Sequence, residues 1–335
     1  MPPVSRRFCV APMLDLTDRH ARFLLRRITR HALLYSEMIT TGALLHGDAE
    51  RLLRFDPSEH PLALQLGGSD PTDLARAARM ASDHGYDEVN LNVGCPSDRV
   101  QSGRFGACLM AEPALVADGV AAMTAASSLP VTVKTRIGID RDASTDRLVR
   151  LVDAVRQAGC RTFIVHARNA WLDGLSPKEN REIPPLRYEV VYALKRDWPE
   201  LEIVINGGIR TIDESLAHLE HVNGVMLGRA AYYRPWLLSQ VDTALYGAPA
   251  PVDRQEEVVE TYLPYLTREL SGGTPLVAMT RHLLGLFHGG PGARAWRRML
   301  SEDVHRATDG VALVRQALDT VAAARLHFDS PELAA

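Results

Sequence analysis

EVNLNVG (residues 88–94) is a short run of apolar and amide side chains that ends at glycine, and CPSD (95–98) follows it directly. Few residues, mostly apolar, closed by a turn former: this is the pattern of a strand buried on both faces. Seven further runs share it: RFCVAPM (7–13), LLYSEM (33–38), LALQLGG (62–68), VTVKTRIG (131–138), TFIVHAR (162–168), EIVINGG (202–208) and GVMLGRA (224–230). Most gaps between them carry apolar residues three and four apart, as in DRHARFLLRRITR, PTDLARAARMASDHG, EPALVADGVAAMTAAS, STDRLVRLVDAVRQAG and TIDESLAHLEHV. Several of these open on Asp, Thr or Ser and two end at Gly, the residues that cap helices.

Eight strands alternating with helices over about 230 residues predict a TIM (β/α)8 barrel, an α/β fold. The rival is an open doubly wound sheet. It needs fewer strands and a GxGxxG loop after the first, where this chain has VAPMLDLTD. Past residue 245 the texture changes. YGAPAPVD (246–253) reads as a linker, and after it come helical patterns only, from QEEVVETYLPYLTREL to VALVRQALDTVAAARL. The expected organisation is a barrel over 1–245 and an all-helical domain over 246–335.

The 335 residues are 46% apolar and 24% charged, ordinary for a globular protein. A net charge of −3 excludes a global basic field for nucleic acid but leaves room for a local patch. Of 38 basic residues three are lysine (Lys134, Lys178 and Lys195), leaving 35 arginines, so a position where lysine persists draws interest. The four cysteines (Cys9, Cys95, Cys108, Cys160) show no CxxC or Cys/His ligand spacing, which argues against a metal site. MPPVSRRFCVAPM lacks the apolar core of a signal peptide, and no run is as long as a membrane span. A reducing cytosol is the expected location, with no membrane association and no protein partner evident.

A barrel of this kind works at the C-terminal ends of its strands. Those ends hold Pro12, Met13, Glu37, Gln65, Asn92, Cys95, Lys134, Arg136, His166, Arg168, Asn206 to Gly208, Gly228 and Arg229. Polar strand ends that simply meet water would not need to gather so many cations. The turns NGGI (206–209) and GRA (228–230) follow the last two strands, where barrels often bind phosphate through backbone N–H groups. Their glycines also suit plain tight turns. Lys134, among β-branched neighbours, fits a Schiff-base amine, a partner for an anionic cofactor, or a structural lysine that snorkels to the mouth. Cys95 in isolation would be a small core residue. Between Gly94 and Pro96 it is held on a constrained loop that suits an acid or nucleophile, with Arg99 near in sequence. Between Leu270 and Ser301 there is no acid, while Arg281, Arg294, Arg297 and Arg298 surround Trp296. That pattern fits either an RNA surface or a solvated face.

VAPMLDLTDRH, QLGG, VNLNVGCPSDRVQSGRFGACLM, VTVKTRIGID, VHARNAWLDGLSPKENREIPPL, NGGI and GVMLGRAAYYRPWLL together resemble the tRNA-dihydrouridine synthases. SPKENREIPPL and HLLGLFHGGPGARAWRRMLSE resemble the A subfamily, whose targets are uridines 20 and 20a of the tRNA D-loop. The resemblance covers nearly the whole chain. It implies an FMN barrel with a helical domain that binds tRNA, and NADPH as reductant. By similarity Pro12, Met13, Gln65, Lys134, His166, Asn206, Gly207, Gly208, Gly228 and Arg229 would hold FMN, with Lys134 favouring its reduced anion rather than forming a Schiff base. Asn92, Arg136 and Arg168 would contact the uracil. Lys178, Arg181, Arg294 and Arg297 would touch tRNA in its elbow region. Cys95 would be the general acid, giving its proton to C5 while flavin N5 delivers hydride to C6. An ordinary thiol, with a pKa of about 8.5, is mostly protonated at neutral pH yet able to release its proton. Two alternatives are an FMN barrel reducing a free pyrimidine or enone, and an RNA-binding protein without chemistry, which would be colourless.

Overall fold

The structure, a computed structural model, describes residues 4–97, 100 and 103–328. Eight strands, β1 (Phe8–Val10), β2 (Leu33–Thr40), β3 (Leu62–Gly67), β4 (Glu88–Val93), β5 (Val131–Arg136), β6 (Thr162–His166), β7 (Glu202–Asn206) and β8 (Gly224–Leu227), close into a barrel in chain order. Every neighbouring pair is parallel. Because both faces of each strand are covered, the strands read as near-continuous apolar runs rather than as alternating ones.

The helices form where local signals agree. Pro71–Asp83 starts at Asp70, whose carboxylate accepts from the Thr72 and Asp73 N–H groups at 2.8 and 3.0 Å, with Pro71 at the position that needs no donor. It buries Leu74, Ala77, Ala78 and Ala81 along one stripe. Ile212–Leu219 opens on a capping box formed by Thr211 and Glu214.

The barrel interior holds Cys9, Leu33, Tyr35, Ala63, Ile164, Val204 and Met226. A polar network also crosses it. Arg6 donates to Glu88 at 2.6 Å and to Glu202 at 2.9 Å, and Tyr35 Oη donates to Glu88 at 2.7 Å. Glu88 is fully buried, so each of these partners offsets part of its desolvation.

The described residues divide into two compact units. The first is 1–17 with 31–228, and it contains the barrel. The second is 18–30 with 229–335. This division differs from a boundary at 245/246. The helix Arg19–Ile28, which follows β1, belongs to the second unit with Gln255–Ser271, Leu276–Leu283, Ala293–Ser301 and Gly310–Phe328. Polar contacts explain its allegiance. Asp18 caps the helix and accepts from Arg281 at 2.5 Å and His282 at 3.0 Å, while Arg19 meets Glu269 at 2.5 Å. At the other end the buried Asp242 accepts from Thr29 Oγ1 at 2.5 Å and Arg30 N at 2.7 Å. Among the described residues no helix is long and apolar enough to cross a membrane.

Candidate active site

Strand register sets the groups of the mouth side by side. Asn92 on β4 pairs with Lys134 on β5, Arg136 pairs with His166 on β6, and His166 pairs with Asn206 on β7. In a parallel ladder, paired residues project to the same face, so these neighbours share one environment.

The thiol turn is held from several directions. Asn92 Oδ1 accepts from the Gly94 and Cys95 N–H groups at 3.0 and 3.1 Å, the geometry by which Asn side chains organise turns. Arg136 Nε donates to the Gly94 carbonyl at 3.2 Å, and Ala107 N donates to the Cys95 carbonyl at 2.9 Å. Gly106 makes the last approach possible. Its φ is +77°, and a Cβ there would stand 2.6 Å from the Cys95 carbonyl oxygen. The thiol itself is half-buried, with Sγ 3.5 Å from Ser97 Oγ. Arg99 lies outside the described residues.

Lys134, Arg136, Arg168 and Arg181 all act on His166, and the Cys95 sulfur acts on Lys134 and Arg136. Burial pushes the Lys134 ammonium down from 10.5 to about 7, and the Arg136 guanidinium acts in the same direction. Burial lowers Arg136 to about 10; the Cys95 sulfur opposes this, and Arg181 and Arg168 add to it. His166 is held well below its ordinary 6.5, first by burial and then by Arg136, Lys134, Arg168 and Arg181, so its ring is neutral. Among the described residues the buried His166 Nδ1 has no hydrogen-bond partner. Lys134 Nζ donates to Asn206 Oδ1 at 3.1 Å, and Asn206 Nδ2 donates to the Met226 carbonyl at 2.7 Å. A buried polar atom without a partner costs about 1–3 kcal/mol, and crowded cations cost more unless an anion joins them.

At the end of β7, Gly207 and Gly208 have φ of +113° and +76°. A Cβ at Gly208 would stand 2.5 Å from Leu186 and 2.7 Å from Tyr188 Oη. Tyr188 Oη donates to the Gly207 carbonyl at 2.8 Å and so fixes the turn. Gly228, after β8, leaves the Met13 sulfur and Ala11 at contact distance, 3.4 and 3.6 Å from a Cβ placed there. Ala11 and Met13 therefore share the Gly228 corner, and Pro12 lies between them in the chain. The Met13 N–H donates to Thr17 Oγ1 at 3.0 Å, and its carbonyl accepts from the same hydroxyl at 3.2 Å.

The segment after β6 forms the rim. Arg136 Nη1 donates to the carbonyls of Asn169 at 3.2 Å and Asn180 at 3.0 Å. Arg168 Nη1 donates to the Glu182 carbonyl at 3.2 Å and also to that of Pro184. These two arginines, expected to contact a base, thus also tie the rim to the barrel. Lys178 and Arg181 are exposed on this segment. Gln65 is buried below, its amide nitrogen 2.8 Å from Asn90 Oδ1. Asn92, also expected to contact a base, has its oxygen committed to the turn, and its nitrogen lies 2.8 Å from the Met38 sulfur. Arg229, Arg294 and Arg297 belong to the second unit. There Ala293–Ser301 buries Ala293, Trp296, Met299 and Leu300 and exposes Arg294, Arg297 and Arg298.

Several contributors were not expected from the sequence. Asn180 is fully buried and accepts from Trp171 N while donating to the Trp171 and Leu175 carbonyls, all within 3.2 Å. Asn169, Tyr188 and Asn90 likewise do their work through long-range bonds. Only Asn90 had a signal, since Glu88, Asn90 and Asn92 alternate with Val89, Leu91 and Val93.

The donor set fits a flavin mononucleotide. The unpartnered His166 nitrogen, the cluster Lys134, Arg136 and Arg168, and the glycine cradle at 207 and 208 all suit a polar, phosphorylated, electron-rich group.

The family model described as "Dihydrouridine synthase (Dus)" matches residues 9–323. A protein of Pseudomonas putida named tRNA-dihydrouridine(20/20a) synthase is 60% identical over 318 residues, 95% of each chain. One of the same name from Shewanella oneidensis is 57% identical over 318 residues, also 95% of each. Among solved structures, an old yellow enzyme homologue from Zymomonas mobilis matches at a TM-score of 0.52 and 15% identity, covering 75% of this chain and 92% of that one. At that identity the match speaks for the barrel fold alone.

Proposed function

This chain belongs to the dihydrouridine synthase family, flavin-dependent oxidoreductases that act on tRNA uridine, and on that premise we propose that it reduces the C5–C6 double bond of uridines 20 and 20a in the cytoplasm. The cofactor is FMN, and NADPH is the reductant. NADPH, one proton and uridine give NADP and 5,6-dihydrouridine, so one hydride and one proton are added across the double bond.

Pro12, Met13, Gln65, Lys134, His166, Asn206, Gly207, Gly208, Gly228 and Arg229 would hold the cofactor. When bound, the flavin supplies the hydride that goes to C6. Cys95 carries the proton at Sγ and gives it to C5. The thiolate left behind sits in the field of Lys134 and Arg136, whose downward shifts the sulfur opposes. Asn92 and Arg136 keep the turn in place, and the Asn92 amide nitrogen and Arg168 are the donors for the base edge. Lys178, Arg181, Arg294 and Arg297 take the phosphates of the elbow. Extracting the base from its stack costs about a few kcal/mol, which those contacts offset.

The observation that carries this reading is a half-buried thiol on a turn held by Asn92, beside a cluster of basic side chains and an imidazole nitrogen with no hydrogen-bond partner among the described residues. The test is to incubate the purified, yellow protein with NADPH and tRNA from cells lacking dihydrouridine, then map the modified positions. Dihydrouridine at 20 and 20a supports it. Turnover of a free pyrimidine or enone with no change in the tRNA would overturn it.

A further inference from the structure

We propose that Asn90 and Thr132 are positioning residues for the Cys95 step. They form a one-way hydrogen-bond relay that carries orientation from the buried Glu88 carboxylate, through Gln65 and Asn92, to the thiol turn. The inference rests on the reading of Cys95 given above.

The relay has a fixed direction because its origin can only accept. Glu88 Oε2 accepts from Arg6 at 2.6 Å, and Oε1 accepts from Tyr35 Oη at 2.7 Å with room for a second donor. Thr132 therefore spends its one proton on Glu88 Oε1, at 2.6 Å, and its oxygen must accept from the next group. That group is Asn90 Nδ2, at 2.8 Å. With its nitrogen turned to Thr132, Asn90 presents Oδ1 to Gln65 Nε2, again at 2.8 Å. Gln65 is left with Oε1 pointing on to Asn92 Nδ2, the longest link at 3.5 Å. Asn92 then has only its oxygen to offer Gly94 N and Cys95 N.

Burial makes the order obligatory. Glu88 and Asn90 are fully buried, Thr132 is 1% exposed, Gln65 3% and Asn92 7%. Turning any one amide over would set donor against donor with no water to compensate. Register supports the same path, since Gln65 pairs with Asn90 and Asn90 with Thr132. A carboxylate on the barrel floor thus decides which end of Gln65 faces upward and which atom of Asn92 grips the turn.

Thr132→Val keeps the shape and removes the hydroxyl, and Thr132→Ser restores it. Turnover of tRNA and alkylation of Cys95 by iodoacetamide, read at the Cys95 peptide, are measured in both. The expected result for Thr132→Val is a fall in kcat of about tenfold, the scale of one lost buried hydrogen bond. KM for tRNA stays unchanged, and Cys95 alkylates several-fold faster because its turn is loosened. Thr132→Ser should stay near wild type in both readouts. Should Thr132→Val fail to fold, Asn90→Asp takes its place: it still accepts from Gln65 but has nothing to donate to Thr132. Unchanged Cys95 alkylation in the interrupted variant, or equal losses in Thr132→Val and Thr132→Ser, overturns the relay. The alkylation rate does not depend on Cys95 being the proton donor, so failure of the acid assignment would show separately, as full activity without the thiol.

Discussion

Lys134 Nζ donates to Asn206 Oδ1 at 3.1 Å, although the two residues stand on β5 and β7, which are not neighbours in the barrel. The bond spans β6 and sets the ammonium next to the glycine turn that follows Asn206. Burial and Arg136 leave that ammonium easy to neutralise, with a pKa of about 7 in the folded chain against 10.5 for an ordinary lysine.

A pH dependence of stability follows. The folded-state pKa lies below the unfolded one, so between about 7 and 10.5 the unfolded chain holds the extra proton. Stability of flavin-free protein should therefore rise with pH across that window, by at most about 1.4 kcal/mol per unit and less for a half-buried group. Below pH 7 both states are protonated and the contribution is flat. Thermal melts of Lys134→Met should lose this slope. An equal slope in wild type and variant would place the titration elsewhere.

The helix Ala293–Ser301 has a sharper division of faces than its neighbours, with Trp296 fully buried and Arg294 and Arg297 exposed. Replacing both arginines with Glu should weaken tRNA binding about tenfold or more at low salt and lower the slope of log affinity against log salt by about 1–2. Flavin content should not change. Filter binding with an unaltered salt slope would take this face out of the tRNA contact.

Much of this was legible in the chain itself. Seven strands lie within the apolar runs that predict them and β2 runs two residues past its own, to Thr40, since a strand covered on both faces leaves a contiguous apolar signature. The glycines that follow β7 were also legible as a turn, and both have positive φ. What sequence does not carry is which partner a polar side chain reaches. Asn180 is an unremarkable amide in SPKENREIPPL, yet it closes the rim through bonds to Trp171, Leu175 and Arg136. The helix Arg19–Ile28 shows the same limit for packing. Its apolar stripe of Phe23, Leu24 and Ile28 would suit a barrel wall as well as a helix pair, and Asp18, Arg19 and Thr29 decide for the second unit.

The most direct measurement is dihydrouridine formation by Cys95→Ala under single turnover with the flavin bound. Proton donation by a placed acid contributes about 10²–10⁴ to rate. Cys95→Ala is predicted to keep its yellow colour and its NADPH oxidation, while dihydrouridine formation falls by at least about a hundredfold. A variant that modified tRNA at the normal rate would contradict the role of the thiol held by Asn92.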